Sequence, residues 1–336
     1  MSELEGRIAT QLLQAIGDIG TQDLPVRLSR IAGNFLVDPK PRFDPTVKHG
    51  RLEYNPNLKA FIITLGSRDW GYKSSPDDLF RTGIQNRDPI LTRRLRFTYA
   101  HELAHRFCFV NDSGKWVRAM ELAVSRKRKS AELNDLNRLT SNEEQLCNNV
   151  ANRVLVPDLL LANCFQPVLL GSPNELLGNF FNKLKTMAEL FAVTDDCLAV
   201  ACQKAIERRV IRMPPKFCAL LVGNSSKKTH NKQGAKKLRV LFSLLPDNVN
   251  GLSVKPIFPG MAADNLGSSF TKFISGLLAE SAARRGWGEI PIQLLINTDL
   301  TNQKADLQLN SCWELKGSQR LGEDRSIFIW GFLDSK

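Results

Sequence analysis

Histidine is scarce in this chain: four residues among 336, His49, His101, His105 and His230. Long apolar runs are missing too. No stretch of 18 apolar residues occurs, so no transmembrane helix and no membrane partner are expected. The start, MSELEGRIATQLLQAIGDIG, carries early acids and lacks a long apolar core before a cleavage site, unlike a secretory signal. The seven cysteines (Cys108, Cys147, Cys164, Cys197, Cys202, Cys218 and Cys312) are odd in number and include no Cys-x-x-Cys pair. A disulfide framework or zinc knuckle is therefore not expected, and a reducing cytoplasm is. There is no internal repeat and no low-complexity tract.

What remains is the composition of an ordinary globular protein, 43% hydrophobic and 24% charged, long enough for two or three domains. The net charge is +12. Residues 1–212 hold 30 Lys+Arg against 24 Asp+Glu, and residues 213–336 hold 16 against 10, so the excess is spread evenly. An acidic partner, including DNA, is compatible with that surface. The one basic run, RKRK at 126–129, reads first as a solvated loop or helix end.

Two of the four histidines fall together in RLRFTYAHELAHRFCF, residues 94–109, as His-Glu-x-x-His. On a helix, residues four apart share one face, so His101 and His105 can aim both imidazoles at one ion. Phe97, Ala100, Ala104, Phe107 and Cys108 supply an apolar stripe at helical spacing, with the histidines at its edge. Glu102, turned away from both ligands, is placed to act as a general base. At this chain's His and Glu frequencies, chance would produce the pattern in on the order of a few chains per thousand.

A zinc site of this kind needs a third protein ligand. Residues 141–157, SNEEQLCNNVANRVLVP, read as a helix with Leu146, Cys147, Val150, Ala151, Val154 and Leu155 on its buried face. Glu143 and Glu144 both sit near the edges of that face. Periodicity leaves the third ligand as one of these two. Thiolates from Cys108 or Cys147 are an alternative, although imidazole and carboxylate complete a site without them.

These segments resemble the ImmA/IrrE family of zinc metallopeptidases. There, a segment of the type R-x-F-T-x-A-H-E-x-x-H precedes one of the type E-x-x-A-N-x-F-A-A-x-L-L-M-P. Here RLRFTYAHELAH matches the first closely. EQLCNNVANRVLVP matches the second loosely, with Cys147, Val150, Asn152 and Val156 as departures. Aligned backwards from Pro157, the resemblance places the metal glutamate on Glu144. It places the family asparagine on Asn148, where its oxygen would orient a ligand histidine. The likeness covers roughly residues 22–212.

The resemblance implies a zinc endopeptidase in which His101, His105 and Glu144 hold Zn2+ and Glu102 is the catalytic base. Tyr99 and His230 are candidate oxyanion donors. The implied substrate is a helix-turn-helix transcriptional repressor in phage, mobile-element or stress regulation. Only about 20 residues precede the peptidase-like region, so the repressor is expected on a separate polypeptide. The rival reading is a non-hydrolytic zinc-containing regulator that grips a protein partner or DNA.

Elsewhere, helices are expected at 3–19, 24–37, 175–193 and 194–210, and a hairpin at 50–66 with NPN as its turn. The apolar positions of 8–19 read as core packing before docking. After RMPPK the texture changes to strands (FCALLVG, LRVLFSLL, IPIQLLINT, CWELKGS, SIFIWGFL) with one helix, SSFTKFISGLLAESAARR. The expected class is α+β. An N-terminal helix spans 1–21, a zincin-like metallopeptidase domain 22–165 and a helical subdomain 166–212. A separate α+β domain, GAF-like by analogy with family members that carry one, spans 215–336.

Overall fold

The computed structural model describes residues 2–66, 89–119, 133–214, 216–224, 238–246, 248–249, 252–254, 261–279, 285–297, 302–316 and 326–335. The RKRK run, His230 and the loop-rich stretch 67–88 lie outside the described residues. The fold is α+β, in two compact units. The first contains Met1–Leu161 and Lys185–Ala201; the second contains Ala162–Leu184 and Cys202–Lys336.

In the first unit, α1 (Ser2–Gln14) is followed by α2 (Leu28–Asn34) and a small sheet of β1 (Arg42–Asp44), β2 (Gly50–Asn55) and β3 (Ala60–Gly66). The strand order is β1-β3-β2, with β1 parallel and β2 antiparallel to β3. The β2–β3 turn closes where Asn55 Oδ1 accepts the backbone N–H groups of Asn57 and Leu58, an Asx-type turn that asparagine favours. Phe61, Ile63 and Leu65 on β3 and Leu52 on β2 are buried.

Helix α3 (Pro89–His105) packs on β2 and β3. Its buried apolar residues, among those described, are Leu95, Tyr99 and Leu103, one turn apart in succession, with Ala100 and Ala104 beside them. This differs from the stripe expected through Phe97, Phe107 and Cys108. The α-helix stops at His105, and Arg106–Cys108 form a tighter 3-10 turn, so the last two residues leave its periodicity. A hairpin follows, β4 (Phe109–Asp112) and β5 (Lys115–Arg118). Its turn residues Ser113 and Gly114 both have positive φ, a pairing that suits tight hairpins.

Helix α4 (Leu133–Leu155) packs against both α3 and α1. Ile8, Ala9 and Leu12 of α1 are buried, so its apolar side is used in packing. Asn149 on α4 also donates to the buried Glu5 carboxylate at 3.0 Å. Three further helices follow: α5 (Asp158–Leu169), α6 (Pro173–Leu190) and α7 (Asp195–Glu207). Thr194 Oγ1 accepts the Cys197 N–H and caps α7.

The second unit is built on a seven-stranded antiparallel sheet of order β7-β6-β12-β11-β10-β9-β8. Its strands are β6 (Phe217–Asn224), β7 (Leu238–Leu244), β8 (Asn248–Val249), β9 (Leu252–Val254), β10 (Arg285–Asn297), β11 (Asn302–Lys316) and β12 (Ser326–Ser335). Helix α8 (Ser268–Ala279) places Phe270 and Ile274 in a core with Leu220, Val222, Ile290, Leu309 and Ile329.

Residues 162–184, divided in the sequence reading between the domain 22–165 and the helical segment 166–212, group by contacts with this sheet. Phe180 on α6 is fully buried and meets Phe165 at a tilt, Phe217 edge-on and Phe328 in a stack, at 5.8, 5.0 and 6.3 Å between ring centroids. The Trp330 indole donates to the Leu177 carbonyl at 2.9 Å. Among the described residues, no helix is long and apolar enough to cross a membrane.

Candidate metal centre

Helices α3 and α4 bring His101, Glu102, His105, Glu143, Glu144 and Asn148 together. His101 and His105 lie one turn apart, and their Nε2 atoms approach to 3.1 Å. Glu144 closes the triangle, with Oε2 3.1 Å from His101 Nε2 and Oε1 3.4 Å from His105 Nε2.

The other ring nitrogens fix the tautomers. His105 Nδ1–H donates to Glu143 Oε1 at 2.8 Å, and His101 Nδ1–H donates to Asn148 Oδ1 at 3.0 Å. Each neutral ring therefore turns an Nε2 lone pair toward the other and toward the Glu144 carboxylate. Three electron-rich atoms this close need a cation between them. In the metal-free chain a proton supplies part of that charge. Burial opposes a charge on His105. Its hydrogen bonds to Cys108 and Glu143, and the Glu102 and Glu144 carboxylates, outweigh burial and raise its pKa to about 10. Burial, and then the charge on His105, hold His101 below the usual histidine value.

The donor set also fits zinc. With bonds of about 2.0–2.1 Å to nitrogen and oxygen, tetrahedral ligand atoms sit about 3.3–3.4 Å apart. Of the observed separations, two at 3.1 Å lie slightly below that range and one at 3.4 Å lies within it. Both imidazoles are already oriented by acceptors on their outer nitrogens, as metal-ligating histidines usually are.

Glu102 is buried beside this group, and a carboxylate oxygen of Glu102 lies within 4.8 Å of a ring nitrogen of each histidine. Burial raises its pKa to about 7, against the lowering pull of His105. The first residue of β2, Gly50, makes room for it: a Cβ there would lie 2.6 Å from Glu102 Oε1 and 2.8 Å from Thr98 Cγ2. Glu143 has its pKa lowered, first by the His105 hydrogen bond. Arg118, from β5, reaches within 3.8 Å of Glu143.

Tyr99 is not brought to this group. It is fully buried, its hydroxyl donates to the Pro39 carbonyl at 3.3 Å, and burial raises its pKa. It serves packing between α3 and the chain near Pro39, a correction to its candidacy as oxyanion donor. Sequence reading missed three participants. The role of Glu143 was hidden in the Glu143–Glu144 ambiguity. Gly50 and Arg118 come from strands whose approach to α3 carries no local signal.

No protein-family model matches this chain, and no curated protein matches it. Among solved structures, a Mycobacterium tuberculosis transcriptional regulator is similar at 10% identity, over 99% of this chain and 76% of that one, with a TM-score of 0.44.

Proposed function

We propose that the first unit is a zinc-dependent peptidase with a zincin-like site, and that the second unit regulates it in the manner of a GAF-like sensor. The observation that carries the reading is the convergence of His101 Nε2, His105 Nε2 and the Glu144 carboxylate within 3.4 Å of one another, with Glu102 buried alongside. His101, His105 and Glu144 would hold the ion and leave one position open. Bound zinc supplies Lewis acidity, lowering the pKa of water from about 16 to roughly 7 and polarising a carbonyl.

The remaining work falls to the chain's own residues. Glu102 takes the proton of the attacking water and returns it to the leaving amine. A carboxyl with a pKa raised to about 7 suits both halves of that exchange at neutral pH. Asn148 and Glu143 keep each imidazole in the tautomer that presents Nε2. Strand β2 lies at the edge of its sheet among the described residues and runs past Glu102 at Gly50. Its outer backbone groups can pair with an extended substrate segment and hold a scissile bond near the base. The substrate class we propose is a protein, specifically a separate helix-turn-helix repressor, as the family resemblance implies.

The test is direct. Zinc-loaded wild type and Glu102→Gln are incubated with a peptide library digested from cell extract, and new N-termini are read by mass spectrometry. New termini with wild type alone support the peptidase. No new termini with either protein, alongside tight capture of a partner by both, replaces it with a non-hydrolytic regulator.

A further inference from the structure

We infer that Cys108, Cys147 and Glu143 form a second cation site behind His105, selective for a thiophilic d10 ion such as Zn2+ or Cd2+. Cys108 ends the 3-10 turn that follows α3 and is half-buried; Cys147 lies on α4 and is buried. The two sulfurs lie within 4.8 Å of each other. Cys108 also adjoins Glu143 and His105. Ligand atoms of His105, Cys108 and Cys147 all lie within 4.8 Å of one another. Sulfurs sharing a tetrahedral ion through bonds of about 2.3 Å sit about 3.8 Å apart, so small side-chain rotations suffice.

The donor set differs in kind from the first site. Two sulfurs and a carboxylate favour a softer ion than two imidazoles and a carboxylate do. The His105 ring stands between the two groups, with Nε2 toward His101 and Glu144 and Nδ1 toward Glu143. Glu143 thus joins them. An ion drawn to the thiols competes for the carboxylate that orients His105, so occupancy behind the ring weakens binding in front of it. The peptidase reading uses neither thiol, and the inference stands independently of it.

The experiment titrates Cd2+ into the reduced full-length protein. It follows the ultraviolet thiolate-to-cadmium charge-transfer band and counts bound ions by native mass spectrometry. Wild type is expected to bind two ions and develop the band. Cys108→Ala and Cys147→Ser should each bind one ion and lose most of the band, while Glu144→Ala keeps the band with one ion. Circular dichroism identifies any variant that has unfolded. Because Cys108 is half-buried, its variant remains informative if the Cys147 variant fails to fold.

A single ion without a band in wild type overturns the inference. So does a band that survives in Cys108→Ala, which would then come from other cysteines. Loss of the band in Glu144→Ala would merge the two sites into one. A Cys108–Cys147 disulfide that persists in reductant and excludes Cd2+ would make the pair a covalent link instead.

Discussion

Glu143 Oε1 accepts the His105 Nδ1–H at 2.8 Å, on the opposite ring nitrogen from the one that meets His101. Neighbouring glutamates on α4 thus serve different sides of one imidazole. Glu144→Ala and His101→Ala should lose the zinc ion held at the imidazoles, one of the two that wild type binds. Glu143→Ala should keep it with affinity lowered about 10–100-fold, the usual effect of removing a ligand's orienting partner. Metal analysis after dialysis separates the three. Full retention in Glu144→Ala with loss in Glu143→Ala would reverse the two roles.

Glu102→Gln should leave metal content and the unfolding transition unchanged while slowing peptide cleavage about 10²–10⁴-fold, because an amide cannot take the proton. Equal turnover by the variant would end the assignment of Glu102 as base.

Gly50→Ala tests the approach of β2. The added Cβ would meet Glu102 Oε1 at 2.6 Å, so either the carboxylate or the strand must move. Zinc should remain, since no ligand is touched, and cleavage should fall on the order of 10²-fold, as for a misplacement of about 1 Å. Unchanged kcat and KM would show that the strand yields freely.

Metal uptake should release protons near neutral pH. Without metal, His105 has its pKa raised to about 10 and is protonated at pH 7, so an ion must displace that proton. Apparent affinity should therefore rise as pH increases from 6 toward 9. Calorimetry in buffers of differing ionisation enthalpy reads the proton count directly. A pH-independent affinity would show that His105 is already neutral.

Phe180→Ala should destabilise the second unit by about 3–5 kcal/mol, the range for removing a buried phenyl ring. A fragment ending at Arg212 should aggregate, because it keeps Phe165 and Phe180 but lacks Phe217 and Phe328, against which Phe180 packs. Light scattering of the fragment beside the full chain decides the matter; a monodisperse fragment would show that α6 repacks alone.

Much of the site was written in local patterns. The four-residue spacing of His101 and His105 specifies a shared face wherever the helix lies, and an asparagine one turn beyond a glutamate specifies another. The choice between Glu143 and Glu144 was not local. It depends on how far α4 is rotated about its axis against α3, which tertiary packing sets. Strands β1, β8 and β9, each two or three residues long, are too short for an alternation to register. Helix α5 was overlooked because Pro167, inside it, reads as a helix breaker. The prolines after Arg212 mark where a helix stops, but they do not say which core α6 joins. Only the contacts of Phe180 and Trp330 do.

The division of labour along α4 has a consequence for how such a chain can change over generations. Glu143, Glu144 and Asn148 alone direct polar atoms at the two imidazoles, within little more than one turn. Val150, Ala151 and Val154 of the same helix are buried and contribute volume. Volume-conserving exchanges in a core usually cost under about 1.5 kcal/mol, so these positions can drift one at a time. A lineage could rewrite most of this helix while three side chains hold the chemistry in place, and kinship would fade from its letters before it faded from its site.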